Sequence, residues 1–442
     1  MSDAAAKVAG SSGPGWRYYL QRPVLVIFFL GFSGGLPFPL VYSTLTGWLE
    51  DVDITRSTIS TFAWLGFAYS FKFLWSPLVD NVKLPLLSRW LGHRRAWLLT
   101  SQLALGACLF LLSVIDPSLQ MTAFAIVAVC VAFLSATQDI VIDAFRIESA
   151  EPELQSVLAA AYQYGYRLAV LVAMAGALYI AQFASWTAAY KAMAACMAVG
   201  VITTLLCSEP KVRAGLASKL SGSFAEQAKH WIFIAVLEPF ADFVKRYHRW
   251  SLLLLAFIAS FLISDRVLGI LATPFYLDIG FSKAQVATVA KLYGTWVSLI
   301  GIGIGAASVI KLGMARCIVL ATILIVSTNL FFATMAMFGP RLELLTLTIS
   351  FDNFAAGFGS TVMIAFMSSL VNVRFTATQY ALLSSISTFF GKLFAGYSGD
   401  VQLAIGWFNF FLYAAATGVP AIVLGLVVAN KYAKIVQKNE PD

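Results

Sequence analysis

The sequence predicts an all-α integral membrane protein with twelve transmembrane helices arranged as two six-helix pseudo-repeats. Composition, the spacing of the apolar runs and a trace of duplication predict this fold class. Of the 442 residues, 60% are hydrophobic and 12% are charged, and the mean hydropathy is +0.81. A soluble chain of this size carries about 25% charged residues. Because the apolar excess extends along the whole chain, a soluble domain with a single membrane anchor is excluded.

Twelve runs reach the length of about 20 apolar residues that a spanning helix needs. The predicted spans are 24–48, 56–79, 96–115, 121–147, 155–182, 187–207, 250–276, 284–308, 313–336, 342–370, 376–399 and 403–430. They divide the chain into a cytoplasmic tail (1–23), a six-helix bundle (24–207), a cytoplasmic linker (208–249), a second six-helix bundle (250–430) and a second cytoplasmic tail (431–442). Within the linker, "WIFIAVLEPFADFVKRYHRW" is aromatic and basic, which predicts an interfacial helix.

Lysine and arginine in the connections predict the orientation. If the N-terminus is cytoplasmic, the outside loops hold only Arg56, Lys283 and Arg341, and the inside segments hold the other loop cations. By the positive-inside rule both termini are therefore expected in the cytoplasm. The net charge of +8 reflects this bias and not a nucleic-acid-binding surface, because no basic groove or base-stacking module is present.

An internal duplication leaves a trace at the start of the second span of each half. "ITRSTISTFAWL" (Ile54–Leu65) aligns without gaps on "FSKAQVATVAKL" (Phe281–Leu292), and "WLED" and "YLDI" precede them. Apolar helices also resemble one another by chance, which is the alternative explanation. A true duplication predicts two parallel repeats related by an axis along the membrane normal.

Ionisable residues inside predicted spans are costly and indicate functional sites by default. Ten of them are the candidates: Lys72, Asp139, Asp143, Arg146, Arg167, Asp265, Arg266, Lys291, Asp352 and Lys392. Asp139 and Asp143 are four residues apart and share a helix face. Residues near the cytoplasmic surface are expected to form a gate or structural ion pairs; these are Asp80, Arg94, Arg95, Asp143 and Arg146.

Deep carboxylates are the expected sites of proton coupling. Burial in an apolar region favours the neutral form of a carboxyl group, and a nearby cation favours its charged form. A conformational change that exchanges these surroundings can therefore move a proton. All three histidines lie in predicted cytoplasmic segments. We therefore expect Asp139 to carry the proton, with Asp265 and Asp352 as the next candidates.

Backbone and aromatic signals also suit transport. The first span reads "GFSGGLPFPL", and Pro37 and Pro39 predict a broken helix. The fifth begins "YQYGYR", in which Tyr162 and Tyr166 share one face beside Arg167. Two rings on one face suit contact with a sugar, and they equally suit ordinary helix packing.

Several of these motifs together resemble the AmpG-type muropeptide permeases, a family of the major facilitator superfamily. The resembling stretches are "GFSGGLPFPL", "FKFLWSPLVD", "SATQDIVIDAF", "GYRLAVLV" and "FTATQYALLSSIS", which occur in both halves. Many such permeases have two further C-terminal spans, which this sequence lacks. Related permeases for siderophores or acetyl-CoA share parts of these motifs.

The resemblance implies proton-driven import of anhydromuropeptides (GlcNAc-1,6-anhydro-MurNAc peptides) across a bacterial inner membrane for cell-wall recycling, with a possible link to β-lactamase induction. Muropeptides carry several carboxylates, and the expected partners for these are Lys72, Arg167, Arg266, Lys291 and Lys392. The expected hydrogen-bonding residues are Gln138, Asn353 and Gln379. The alternative is a permease for a siderophore or another anionic metabolite.

Other expectations follow from what the sequence lacks. The five cysteines stand singly in apolar runs, without metal-ligand spacing, so no metal site is expected. No clustered nucleophile or metal set points to a membrane enzyme, and no pore-lining repetition points to a channel. The proton gradient is the only co-substrate expected, no other cofactor is expected, and the superfamily default is a monomer.

Overall fold

The computed structural model describes residues 21–151, 154–210 and 237–436, and all regular structure within these ranges is helical. The predicted tails, apart from 21–23 and 431–436, and linker residues 211–236 lie outside the described residues. That gap includes the first six residues of the predicted interfacial segment.

Thirteen α-helices form the described part of the first half. They are α1 (Arg22–Gly35), α2 (Pro37–Val41), α3 (Ser43–Asp51), α4 (Arg56–Thr61), α5 (Gly66–Phe71), α6 (Ser76–Asn81), α7 (Leu87–Leu91), α8 (His93–Val114), α9 (Met121–Glu148), α10 (Gln155–Leu171), α11 (Ala177–Phe183), α12 (Trp186–Cys196) and α13 (Ala198–Leu206).

Ten further α-helices form the described part of the linker and second half. They are α14 (Glu238–Tyr247), α15 (Trp250–Phe261), α16 (Ile263–Gly269), α17 (Ala272–Asp278), α18 (Lys283–Gln285), α19 (Gly294–Leu312), α20 (Met314–Phe338), α21 (Leu342–Leu370), α22 (Thr376–Ala395) and α23 (Ser398–Val436). A π-helical segment, Val286–Tyr293, joins α18 to α19, and α23 bends at Gly406.

Ten helical stretches among the described residues are long and apolar enough to cross a membrane. They match ten of the twelve predicted spans. The predicted span 56–79 instead forms α4, α5 and α6 with 3₁₀ turns between them, so no piece is long enough. The span 376–399 corresponds to α22, whose 20 residues include many serines and threonines. The count of twelve therefore remains a prediction.

The broken first span is confirmed. Its apolar stretch divides into α1, α2 and α3: Leu36 keeps helical dihedral angles (φ −69°, ψ −47°), and the backbone departs from them at Tyr42 (φ −120°, ψ −101°), three residues after Pro39. Glycines let α1 pack closely on α10, because a Cβ at Gly31 would overlap the backbone of Tyr162 and one at Gly35 would lie 2.6 Å from the carbonyl oxygen of Tyr166. This packing fixes both tyrosines beside the first helix.

The two halves meet differently at the two ends of the molecule. We call the end with the 81–93, 148–155 and 370–376 connections the joined end, and the opposite end the separated end. Buried apolar clusters at the joined end mix residues of both halves: Ile147 packs with second-half residues, and Ala377 and Ala381 pack with first-half residues. At the separated end, the two large clusters of described residues each contain residues of one half only.

Candidate functional site

Four of the five predicted intramembrane charges of the first half, all except Arg167, lie on or beside α9. Asp143 Oδ2 lies 3.6 Å from Lys72 Nζ, and Asp143 Oδ1 lies 3.4 Å from Arg146 Nη2. Lys72 lies in the 3₁₀ turn after α5, and all three side chains are buried. The expected Asp143–Arg146 ion pair is therefore present, and Lys72 joins it. Two cations share one carboxylate, so the group carries a net positive charge.

Asp139 lies one turn of α9 away from Asp143, toward the middle of the molecule. No described residue forms a hydrogen bond with its Oδ1 atom. Gly34 leaves the space for this oxygen, because a Cβ there would lie 3.2 Å from Asp139 Oδ1 and 3.7 Å from the Tyr162 hydroxyl. Lys72 and Asp143 both interact electrostatically with Asp139. The carboxylate thus faces charged groups without being tied to one of them.

Three tyrosine side chains lie near Asp139. The rings of Tyr162 and Tyr166 have centroids 5.9 Å apart, and both tyrosines interact electrostatically with Asp139. Tyr69 does so as well. Because α10 packs on α1 through glycines, these rings are fixed next to the carboxylate. The site combines aromatic faces with a buried acid, a combination that suits recognition of a sugar-containing ligand.

Basic side chains from both halves lie beside this group. Lys392 Nζ on α22 donates to Ser70 Oγ at 2.8 Å and interacts electrostatically with Lys72 and Arg266. Arg167 on α10 interacts with Arg266 and with Asp265. Arg266 Nε lies 3.9 Å from Asp265 Oδ2. Cations from the two halves therefore lie near one another, an arrangement that suits an anionic ligand.

Other predicted residues have different surroundings. Asp352 interacts electrostatically with Asp265, so it lies near the charged residues of the second half described above. Lys291 Nζ lies 3.5 Å from Thr273 Oγ1, and Asn353 donates to the carbonyl of Ile349 on its own helix. The described contacts of these last two do not include the charged group on α9.

The two predicted glutamines also make protein contacts. Gln138 is fully buried and accepts from Ser33 Oγ at 3.4 Å. Gln379 is bonded to α14 and to the 371–375 connection. Their assignment to substrate stays a prediction.

Asp80 links the two halves at the joined end. Its Oδ1 accepts from Arg94 Nη2 at 2.8 Å and from the N–H of Ala377 at 3.1 Å. Its Oδ2 accepts from both the N–H and the hydroxyl of Thr378, each at 2.7 Å. A carboxylate at this position satisfies the free N–H groups of the first turn of α22 and complements the helix dipole. A first-half side chain thus caps a second-half helix.

The predicted gate residue Arg95 acts within the first half. Its Nε donates to the carbonyl of Thr204 and its Nη2 to that of Leu205, both at 2.8 Å. Glu209, which the sequence analysis did not single out, accepts from the backbone N–H groups of Arg94 and Arg95. Burial raises the pKa of Glu209. Arg95 and Glu209 therefore hold α8 against the end of α13.

Arg146 connects its ion pair to the second half. Its Nη1 donates to Ser368 Oγ at 2.9 Å, and its guanidinium lies 5.1 Å from the ring centroid of Tyr380. Nothing local in the sequence marks Ser368 or Tyr380 as its partners, because the contact joins residues more than 200 positions apart. Arg146 is thus at once part of the charged group and of the contact between halves.

Gln163 also bonds across the halves. It donates to Thr361 Oγ1 and accepts from Ser360 Oγ, both at 2.7 Å.

Arg94 additionally pairs with Glu148 at 2.7 Å. Neither Gln163 nor Glu148 was predicted from the sequence. Gln163 stands between the tyrosines of "YQYGYR", and Glu148 ends the charged stretch of α9, so their positions were the available signals.

Comparison with known proteins identifies the family of the chain. Residues 24–396 match the family model of the Major Facilitator Superfamily. The chain is 34% identical over 414 residues to a protein of Rickettsia felis named AmpG 4, covering 92% of this chain and 97% of the relative. It is 33% identical over 414 residues to the anhydromuropeptide permease of Escherichia coli K12, covering 93% of this chain and 80% of that one.

Solved structures show the same fold at low sequence identity. The proton:xylose symporter XylE superposes with a TM-score of 0.64 at 14% identity, covering 95% of this chain and 96% of that one. The human organic anion transporter MFSD10 gives 0.63 at 17%, covering 93% and 100%. The predicted fold class and the resemblance are confirmed: the chain is a multi-pass membrane transporter of the major facilitator superfamily and belongs to its AmpG family.

Proposed function

We propose that this chain imports anhydromuropeptides from the periplasm to the cytoplasm by alternating access, coupled to proton entry. The observation that carries the proposal is the group of charges between the halves, in which Asp139 has a carboxylate oxygen without a protein hydrogen-bond partner among the described residues. The name of the Escherichia coli relative supports the substrate class. The cell-wall recycling role follows from that substrate.

Substrate recognition would divide between charge and ring contacts. Lys72, Arg167, Arg266 and Lys392 offer cations to the carboxylates of the peptide, because ammonium and guanidinium groups pair well with carboxylates. Tyr162 and Tyr166 would contact the sugars. Lys291 and Asn353 remain candidates from sequence whose present contacts are within the second half.

Proton coupling would use the change in surroundings of Asp139. With its proton, the Asp139 carboxyl group is neutral, so a substrate carboxylate competes only with Asp143 for Lys72. Without the proton, the carboxylate competes with the substrate for Lys72. Opening the joined end to the cytoplasm would expose Asp139 to water and release both the proton and the substrate. Asp265 and Asp352 are the alternative proton sites in the second half.

The joined end is the cytoplasmic one under the positive-inside rule. The described conformation would then be closed to the cytoplasm, with the two halves separated toward the periplasm. The same orientation places both termini in the cytoplasm, and the resemblance places the protein in the bacterial inner membrane as a monomer. The proton gradient supplies the driving force, and no cofactor is needed.

The test is uptake of radiolabelled anhydromuropeptide into proteoliposomes, with and without an inward proton gradient. We expect accumulation only with the gradient. Asp139→Asn should abolish accumulation while still allowing exchange of substrate across the membrane. Continued gradient-driven accumulation by Asp139→Asn would move the proton site to Asp265 or Asp352. No uptake by correctly oriented protein would favour a siderophore or another anionic metabolite.

A further inference from the structure

We infer that α14, a helix of the linker, positions the first turn of α22 so that Asp80 can cap it, with Gln379, Asp242 and Arg246 as positioning residues. This inference goes beyond the choice of substrate. It rests on the proposed function only in that the chain alternates between two conformations.

Gln379 is the centre of the arrangement. Its Oε1 accepts from Arg246 Nη2 and from the N–H of Asn372, both at 2.8 Å. Its Nε2 donates to the carbonyl of Pro239 at 2.9 Å and to Asp242 Oδ2 at 2.8 Å. A side-chain amide has two donor hydrogens and two acceptor lone pairs, so the amide is saturated. Its protein contacts alone account for a buried glutamine in this helix turn.

The linker helix is itself anchored to the second half. Asp242 pairs with Arg246 at 2.9 Å, and its Oδ1 accepts from the side chain of Asn372. The Tyr247 hydroxyl donates to the carbonyl of Leu370 at 2.9 Å. Phe243 and Tyr247 are buried in the apolar cluster of the second half. The apolar face of α14 therefore packs on the second half, and its polar face forms hydrogen bonds with the 370–376 connection that leads into α22.

The same helix turn is held from its other side by the first half. Asp80 accepts the N–H groups of Ala377 and Thr378, and Gln379 is the next residue along the chain. A hydrogen bond weakens steeply when its length or angle departs from the optimum. The direction of these two N–H groups depends on how the turn is fixed, and α14 fixes it through Gln379. Closure of the joined end is thus tied to docking of the linker helix.

A double-mutant cycle tests this connection. Spin labels on cysteines introduced at Arg89 and Lys311, in a background with the five native cysteines replaced by alanine, report the distance between the halves at the joined end. Asp80→Asn and Gln379→Leu are then compared singly and together. Each single change should raise the ratio of open to closed protein about fivefold, as expected for one or two lost hydrogen bonds. The double variant should resemble a single one.

Independent effects would overturn the inference. If the double variant shows the product of the two single effects, about 25-fold, or if Gln379→Leu causes no shift, α14 does not act through the cap. Should Gln379→Leu fail to fold, Asp242→Asn probes the same contact from the linker side, with an expected shift of about twofold to threefold. The ratio is measured without substrate, so it is independent of whether anhydromuropeptides are transported.

Glu238→Gln is the matched control on the same helix. Glu238 Oε1 lies 3.1 Å from Arg374 Nη2, and both side chains are partly exposed, at 32% and 39%. An exposed ion pair contributes at most about 1 kcal/mol, and this one does not contact Asp80 or Gln379, so this variant should change the open-to-closed ratio by less than about twofold. A shift as large as that of Gln379→Leu would mean that any disturbance of α14 opens the joined end, and would contradict a specific role for the glutamine.

Discussion

The joined and separated ends of the molecule are built from similar apolar helices but differ in how the halves meet. At the joined end, Asp80, Arg146 and Gln163 each bond to residues of the second half. At the separated end, polar contacts such as that between Trp186 and Asp51 stay within one half. Polar bonds between the halves therefore concentrate where apolar clusters also cross between them.

This difference between the two ends indicates how the chain can change conformation. A few directional hydrogen bonds between helices can be exchanged for bonds to water at a modest net cost each. The apolar clusters within each half are far harder to open, because each buried side chain contributes about 1.5–3 kcal/mol. Each half can thus move as a unit while the contacts between the halves break.

Arg146→Met is expected to lower the stability and the uptake activity more than any other variant at the two ends. Arg146 is fully buried, and its removal leaves Asp143 paired with Lys72 alone and removes the contacts with Ser368 and Tyr380. Breaking a buried ion pair costs about 3–5 kcal/mol. We expect a clearly lowered thermal unfolding midpoint in detergent and loss of uptake.

Arg341→Met is the control at the separated end. Arg341 is exposed, and its guanidinium lies 5.8 Å from the ring centroid of Phe338 in the same half. We expect its unfolding midpoint to match the unmodified protein. Equal losses in the two variants would show that the joined end has no special dependence on its buried charge.

Asp80→Asn should have the next largest effect. The change removes the charge paired with Arg94 and weakens the cap of α22, and losing a cap costs about 0.5–2 kcal/mol. We expect a cysteine introduced at Ala381, which is buried between the halves, to react about fivefold faster with a water-soluble maleimide. Asp51→Asn is the control, because Asp51 bonds to Trp186 within the first half. An equal rise in both variants would contradict the comparison.

Gln163→Leu should open the joined end less. It removes the bonds with Ser360 and Thr361, but both hydroxyls keep a bond to the carbonyl of Gly357, so the net loss is about 0.5–1 kcal/mol. We expect the same cysteine at position 381 to react about threefold faster. Gln102→Leu is the control, since Gln102 is equally buried but bonds to Thr204 within the first half. If Gln102→Leu accelerates the reaction as much, general loosening explains both results.

The sequence was sufficient for contacts that are local and for the fold class. The Asp143–Arg146 pair follows from spacing on one helix, and Asp80 with Arg94 follows from a short connection. The partners Ser368 and Tyr380 could not be predicted, because no local pattern reports which residues two halves bring together. The same applies to Gln379, whose polar character suited either a substrate site or a protein contact.

Helix breaks show a second limit of the sequence. The prolines of the first span predicted that its helix is broken, since proline removes a backbone donor. The division of residues 56–81 had no comparable signal, because Pro77 falls only at the start of α6. There the 3₁₀ turn places Lys72 toward Asp143, so tertiary contacts outweighed the helical preference of an apolar run.

Ser70→Ala is the prediction with the smallest effect and concerns the middle of the molecule, between the two ends. Lys392 donates to Ser70 at 2.8 Å, so binding of a substrate carboxylate by Lys392 must first compete with this bond. A hydrogen bond involving a charged group contributes about 1.5–3 kcal/mol, but a freed ammonium regains much of that from water. We therefore expect KM for uptake to fall by about twofold to threefold with kcat unchanged. Lys392→Met should instead raise KM, and unchanged KM in both variants would remove Lys392 from the substrate path while leaving its contact between the halves intact.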